Sequence, residues 1–165
     1  MSAATLDAQV LYQALLHHMR QVLKPGMQLL GIASGGAWLA ERLHQDLQLP
    51  QPVSVISSSL HRDDFAQRGI SASVQTQIGF AVNHAHIVLL DDVLHTGRTV
   101  RAVLNELYDF GRPACVQLAV LVERHGRELP IQADWCAAQI TLAANQSLAL
   151  ARDAAGRFRF NLQPR

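Results

Sequence analysis

Asp91 and Asp92 close the apolar run Ile87-Val88-Leu89-Leu90 and are followed by Val93-Leu94-His95-Thr96-Gly97-Arg98-Thr99. That order describes a sugar-phosphate site. Gly97 lets the backbone bend and come close to a ligand, and Thr96 and Thr99 can donate hydroxyl hydrogen bonds to an anion. A helix starting after Gly97 would add its free N–H groups and the positive end of its dipole. Two carboxylates repel a phosphate. They suit the hydroxyls of a ribose, which donate, or a hydrated Mg²⁺, which takes hard oxygen ligands.

The elements that must hold these residues are readable around them. Four consecutive apolar residues ahead of the aspartates are the pattern of a strand buried on both faces of a parallel sheet. Ligands of open α/β sheets bind beyond the carboxyl ends of the strands, which is where Asp91 and Asp92 fall. After the turn, Val100, Val103, Leu104, Leu107 and Tyr108 make one helical stripe that Gly111 and Pro113 stop. Earlier in the chain, helical spacing from Leu6 to Leu23 ends at Lys24-Pro25-Gly26. Gln28 to Ile32 reads as a strand, Ser34-Gly35-Gly36 as its exit loop, and Ala37 to about Leu47 as a helix. Val53 to Ser58 and Val116 to Val122 supply two more strands. Strands alternating with helices predict an α/β fold, a parallel sheet flanked by helices.

From Leu60 to Ala85 no core pattern is visible, and Arg62, Asp63, Asp64, Gln67 and Arg68 crowd one half of the stretch. A connection of that length is either disordered or a functional flap.

Composition narrows the class. The chain has 165 residues, 49% hydrophobic and 16% charged, which suits one globular domain (1–165) with a real core. No apolar stretch reaches the length of a membrane span, and no secretory segment opens the sequence, so a cytoplasmic location is expected. Cys115 and Cys136 then read as reduced thiols. Net charge is +1, so nothing global marks a nucleic-acid binder and any RNA contact must use a local patch. His17, His18 and Arg20 cluster on the first helix, where a solvated face is the simpler reading. Neither the cysteines nor the eight histidines show zinc-ligand spacing, and the Gly31 to Gly36 run lacks the spacing of a dinucleotide fingerprint.

The segment from Ile87 to Thr99 resembles the 5-phosphoribosyl 1-pyrophosphate (PRPP) signature of type I phosphoribosyltransferases. Leu60 to Phe65, Gly31 to Leu43 and Leu118 to Pro130 are similar, in the same order, to segments of the PyrR family of pyrimidine operon regulators and uracil phosphoribosyltransferases. The likeness runs from about the first helix to about Ile140 and fades in the tail.

This resemblance implies a type I phosphoribosyltransferase fold with a flexible flap at about residues 60–85, to which Arg62 and Asp63 belong. It implies displacement of pyrophosphate from PRPP by a pyrimidine nitrogen, with Mg²⁺ as cofactor. Asp91 and Asp92 are then the catalytic candidates, touching ribose and metal-bound water, and Val93 to Thr99 cradle the 5-phosphate. Arg98 either supports that loop or points to solvent, and His95, Tyr in the family pattern, is given no proton to carry. Ser34, Gly35 and Gly36 occupy the pyrophosphate loop, where the family has Thr-Arg-Gly. An arginine lost from such a contact removes ~1.5 to 3 kcal/mol, roughly tenfold to a hundredfold in affinity.

On the base side, main-chain groups around Leu121 to Arg124, Val122 among them, and near Leu148 could read uracil, with Arg124 alternatively a loop-stabilising surface residue. Glu123 replaces the family's Asp, and His125-Gly126 reverses its Gly-His. The implied partners are PRPP, uracil, UMP and UTP, pyrimidine operon leader mRNA, and further copies of the chain in a homodimer or larger homo-oligomer. A weakly catalytic nucleotide-binding regulator, or a phosphoribosyltransferase for another base, stays open beside the uracil enzyme.

Overall fold

A computed structural model describes residues 6–57 and 75–164 of the chain. Its elements, in order, are α1 (Ala8–Val22), β1 (Gln28–Ile32), α2 (Gly35–Leu47), β2 (Ser54–Ile56), β3 (His86–Leu94), α3 (Arg98–Phe110), β4 (Cys115–Arg124), β5 (Trp135–Ile140), β6 (Gln146–Arg152) and β7 (Phe158–Pro164). Strands one to five form a wholly parallel sheet in the order β2-β1-β3-β4-β5, and β6 and β7 pair antiparallel as a separate hairpin. The expected parallel sheet flanked by helices is present. Its order reverses direction between β1 and β3, which makes the crevice beyond those two strands the switch point where such sheets take ligands.

Two apolar clusters cover the two faces. Val88 and Leu90 of β3 pack with Tyr12, Leu15 and Met19 of α1, Leu39 and Leu43 of α2, and Leu148, Leu150 and Phe158 of the hairpin. Ile87 and Leu89 point the other way, to Val100, Val103 and Leu107 of α3. Side-chain alternation along a strand is what sends neighbours of one continuous apolar run to opposite layers. The hairpin is held over the first layer by the edge-to-face contact of Phe158 with Tyr12, whose ring centroids lie 5.3 Å apart.

Several expectations are corrected. β3 does not stop at Leu90: it carries both aspartates and runs to Leu94, because β4 continues beside it and offers Asp91, Val93 and Leu94 partners at Val120, Val122 and Glu123. α2 begins at Gly35, two residues before the apolar stripe that marks it in sequence. The coreless stretch is shorter than expected, since Gln77 bridges Val55 and Val82 is buried with Ile78 and Phe80 against the α3 layer. The rest of the expected flap, including Arg62 and Asp63, lies outside the described residues. His18 is not on a plainly solvated face, for its ring stacks on Trp135 at 4.8 Å.

Candidate functional site

β1 and β3 stay paired only as far as Gly31 and Leu90. Beyond that point β1 turns into α2 while β3 runs on along β4, and the gap between them is the crevice. α2 packs into its rim so closely that a Cβ on Gly36 would stand 2.0 Å from the carbonyl oxygen of Leu90, and one on Gly31 would stand 2.5 Å from that of Gly36. Glycine is therefore required here by close approach rather than by dihedral freedom. Ser34 is the N-cap of α2 and makes no side-chain cap hydrogen bond. Its first-turn N–H groups are thus left without the usual side-chain acceptor at the crevice.

The second helix opening on the crevice is α3. Its N-cap, Gly97, has φ +90°, a conformation that only glycine adopts cheaply, and it brings no side-chain cap either. The preceding turn is braced from behind. The carbonyl of Thr96 accepts the N–H groups of Glu128 and Leu129, both at 3.1 Å, which fixes the plane of the Thr96–Gly97 peptide. The Thr96 hydroxyl accepts the N–H of Arg98 at 3.2 Å. Arg98 pairs with Glu128 at 2.8 Å while much of its side chain stays exposed, so both readings of this residue hold at once. His95 packs its ring on Gly126 of the same bracing loop. Val93 and Leu94 belong to the ladder rather than the turn, and Leu94 is buried, so the anion-facing bend proper is residues 95–99.

The two aspartates part company. Consecutive strand residues face opposite sides, and Asp92 faces α2 and the hairpin: its Oδ2 accepts the N–H of Leu150 in β6 at 2.8 Å. A Cβ on Gly35 would lie 2.4 Å from the Asp92 carboxyl carbon. Asp91 is 7% exposed, and its Oδ1 accepts the N–H of Asp92 at 3.0 Å. No side chain fits at 35 while Asp92 keeps this position.

On the base side, Arg124 is not a surface residue. It is 5% exposed and donates to the carbonyls of Gln146 at 2.7 Å and Ala143 at 3.0 Å, bracing the connection from β5 to β6. The side chains of Val122 and Leu148 are buried, leaving only their main chains for recognition. The residues that sequence reasoning missed are those of the hairpin, Leu150 above all. Alternation of Leu148 with Leu150 and of Phe158 with Phe160, around the Asp153 to Gly156 turn, is the signal that finds it.

Among the described residues no three or more His, Cys, Asp or Glu side chains converge on a point that could hold a metal ion. An all-protein cage is therefore absent from them. A single carboxylate such as Asp91 fits the other manner of holding Mg²⁺, in which the ion is shared with water and with substrate oxygens.

Comparison with known proteins gives the family. The phosphoribosyl transferase domain family matches residues 24–149. The chain is 44% identical to the bifunctional protein PyrR of Ralstonia nicotianae, over all of this chain and 99% of that one. The chain belongs to the PyrR family of phosphoribosyltransferases. The PyrR of Nitrosococcus oceani is 52% identical over 77% of this chain and 72% of its own length. The relation to the Ralstonia protein extends through the tail, past the point near Ile140 where the resemblance was expected to fade. In fold, the chain is similar to a hypoxanthine phosphoribosyltransferase from Staphylococcus aureus (TM-score 0.60, 16% identity, 81% of this chain and 72% of that one). A second such enzyme, from Trypanosoma cruzi, superposes with a TM-score of 0.53 at 19% identity over 85% and 77% of the two chains.

Proposed function

We propose that this chain transfers the 5-phosphoribosyl group of PRPP to uracil, giving UMP and pyrophosphate, and that its occupancy by UMP or UTP governs binding to pyrimidine operon leader mRNA. The observation that carries the reading is the juxtaposition of the acidic pair with the braced, uncapped start of α3, at the switch point of a PyrR-family chain. The 5-phosphate sits on residues 95–99, with Thr96, Gly97 and Thr99 donating. Asp91 takes the ribose end, while Asp92, on the opposite face of β3, lies against Gly35 and the hairpin. Ser34, Gly35 and Gly36 offer main-chain N–H groups to the pyrophosphate, and main-chain groups from Val122 to Arg124 and near Leu148 read the base.

In the reaction a ring nitrogen of uracil forms a bond to C1 of the ribose as the bond from C1 to pyrophosphate breaks. The nitrogen gives up its proton and pyrophosphate leaves with the electron pair. Positive charge grows on the ribose ring in the transition state, so fixed carboxylates nearby stabilise it. The chain's own task is to hold the two reactants in line. Asp91 would hold Mg²⁺ through water, and the ion when bound would neutralise charge on the leaving pyrophosphate. The protein works in the cytoplasm as a homodimer or larger homo-oligomer. No helix among the described residues is long and apolar enough to cross a membrane.

The test is a spectrophotometric assay of uracil with PRPP and Mg²⁺. Formation of UMP supports the enzyme; its absence, with UMP still bound in calorimetry, favours a second reading. In that reading the chain is a nucleotide-binding regulator with little turnover. The contact between Gly35 and Asp92 favours it, since it leaves no room for a cationic side chain at residue 35. Offering cytosine, hypoxanthine and orotate beside uracil tests the base.

A further inference from the structure

We propose that the acidic pair divides its labour, with Asp92 acting as a positioning residue that pins the β6–β7 hairpin to the pyrophosphate loop. This inference rests on the functional reading above and deepens it. Three segments distant in sequence meet at one carboxylate. β3 supplies it, the first turn of α2 lies under it at Gly35, and β6 donates to it from Leu150.

The geometry makes this a deliberate junction of chain segments. One edge of β6 pairs with β7, where Leu150 faces Phe160. The Leu150 N–H takes Asp92 Oδ2 as its acceptor, so a β6 backbone donor is satisfied by a side chain from β3. An unmade bond there would leave a half-buried donor without a partner. Two residues further along β6, Arg152 reaches α2 as well, pairing with Glu41 at 2.6 Å and lying 5.4 Å from the centre of the Trp38 ring. The hairpin is thereby fastened to the helix whose N-terminus is the pyrophosphate loop.

Gly35 follows from the same arrangement. A side chain at 35 has to displace something, and the atoms it meets first are the carboxyl carbon at 2.4 Å and both carboxylate oxygens at 2.7 Å. A short side chain yields more readily than backbone. The Asp92 side chain rotates away and Leu150 loses its acceptor. Residue 35 stays bare so that Asp92 can reach the hairpin. Asp91, on the other face of the strand, takes no part in this junction.

Amide hydrogen exchange at Leu150, read alongside calorimetry with PRPP and Mg²⁺, tests this on four variants of the full chain. Asp92→Ala speeds exchange at Leu150 by about tenfold to a hundredfold, the range set by a hydrogen bond to a charged acceptor. Leu89, deep in β3, is unaffected. Gly35→Ala does the same to Leu150 although the carboxylate is still in the chain. Asp92→Asn, which keeps an acceptor oxygen, restores the protection and regains most of the PRPP affinity lost in Asp92→Ala. The double variant Gly35→Ala/Asp92→Ala is no worse than Asp92→Ala alone, because the clash has been removed with the carboxylate.

Unchanged Leu150 exchange in Gly35→Ala, additive single effects, or an Asn variant as impaired as the Ala variant each overturn the proposal. Should Asp92→Ala fail to fold, the Gly35→Ala and Asp92→Asn exchange results decide alone. Wild-type chain that binds neither PRPP nor UMP would instead sink the functional reading, and leaves the exchange results to judge the pin.

Discussion

Two turns face each other across the crevice, and they are built differently. The loop into α2 and the turn into α3 both leave a strand at the switch point, and both open a helix without a side-chain cap. There the likeness ends. The α3 turn brings hydroxyls at Thr96 and Thr99, and the loop after β4 grips it through the Thr96 carbonyl and the Arg98–Glu128 pair. The α2 loop brings almost no side chain. It is pressed against the backbone of β3 and has a carboxylate over it. One turn offers an anion several donors in a braced frame; the other offers backbone N–H groups and the single hydroxyl of Ser34. On the proposed function, the phosphate that stays with the nucleotide is held by the α3 turn, and the one that leaves would depend more on Mg²⁺.

The largest expected effect is on the α2 side. Gly36→Ala forces a methyl against the Leu90 carbonyl at 2.0 Å, backbone against backbone, and costs about 3 kcal/mol or more of stability in denaturant unfolding. A variant as stable as the parent would show that the loop is loosely seated and the contrast false. Gly97→Ala comes next. It imposes φ +90° on a residue with a Cβ and sets that Cβ 3.2 Å from Ile131, a strain of about 1 to 3 kcal/mol. Calorimetry should find UMP affinity reduced at least about tenfold in a protein that still folds.

A pair of smaller changes separates the turns. Thr99→Val removes a donor from the nucleotide phosphate and weakens UMP and PRPP alike, by about tenfold. Ser34→Ala weakens PRPP and leaves UMP within about twofold, since UMP carries no pyrophosphate. Equal losses for both ligands in both variants would erase the distinction. Glu128→Gln is the smallest: the pair it breaks is solvent-exposed, so stability falls by less than about 1 kcal/mol, and the difference shrinks further in high salt.

Much of this was legible in the sequence for a physical reason. A strand buried on both faces must be continuously apolar, so Ile87 to Leu90 announces itself, and so does the acidic pair at its end. The α3 stripe and the Gly97 turn follow from spacing alone. What sequence could not carry is the partnering of residues far apart. Asp92 and Leu150 are 58 positions apart, and nothing local to either says that one accepts the other's N–H. Arg124 looks like a surface residue in sequence because its two carbonyl partners come from the next connection. The β6–β7 hairpin was missed because its strands show a modest alternation and follow no helix. The extension of β3 past Leu90 was missed because its polar residues are tolerated only where β4 runs beside them.

A crystal structure with UMP bound measures the central claim directly. The account predicts the phosphate at the start of α3, within hydrogen-bond reach of the N–H groups and hydroxyls of residues 96–99, with its ribose toward Asp91. A phosphate seated elsewhere, with that turn unchanged and empty of ligand, would contradict it.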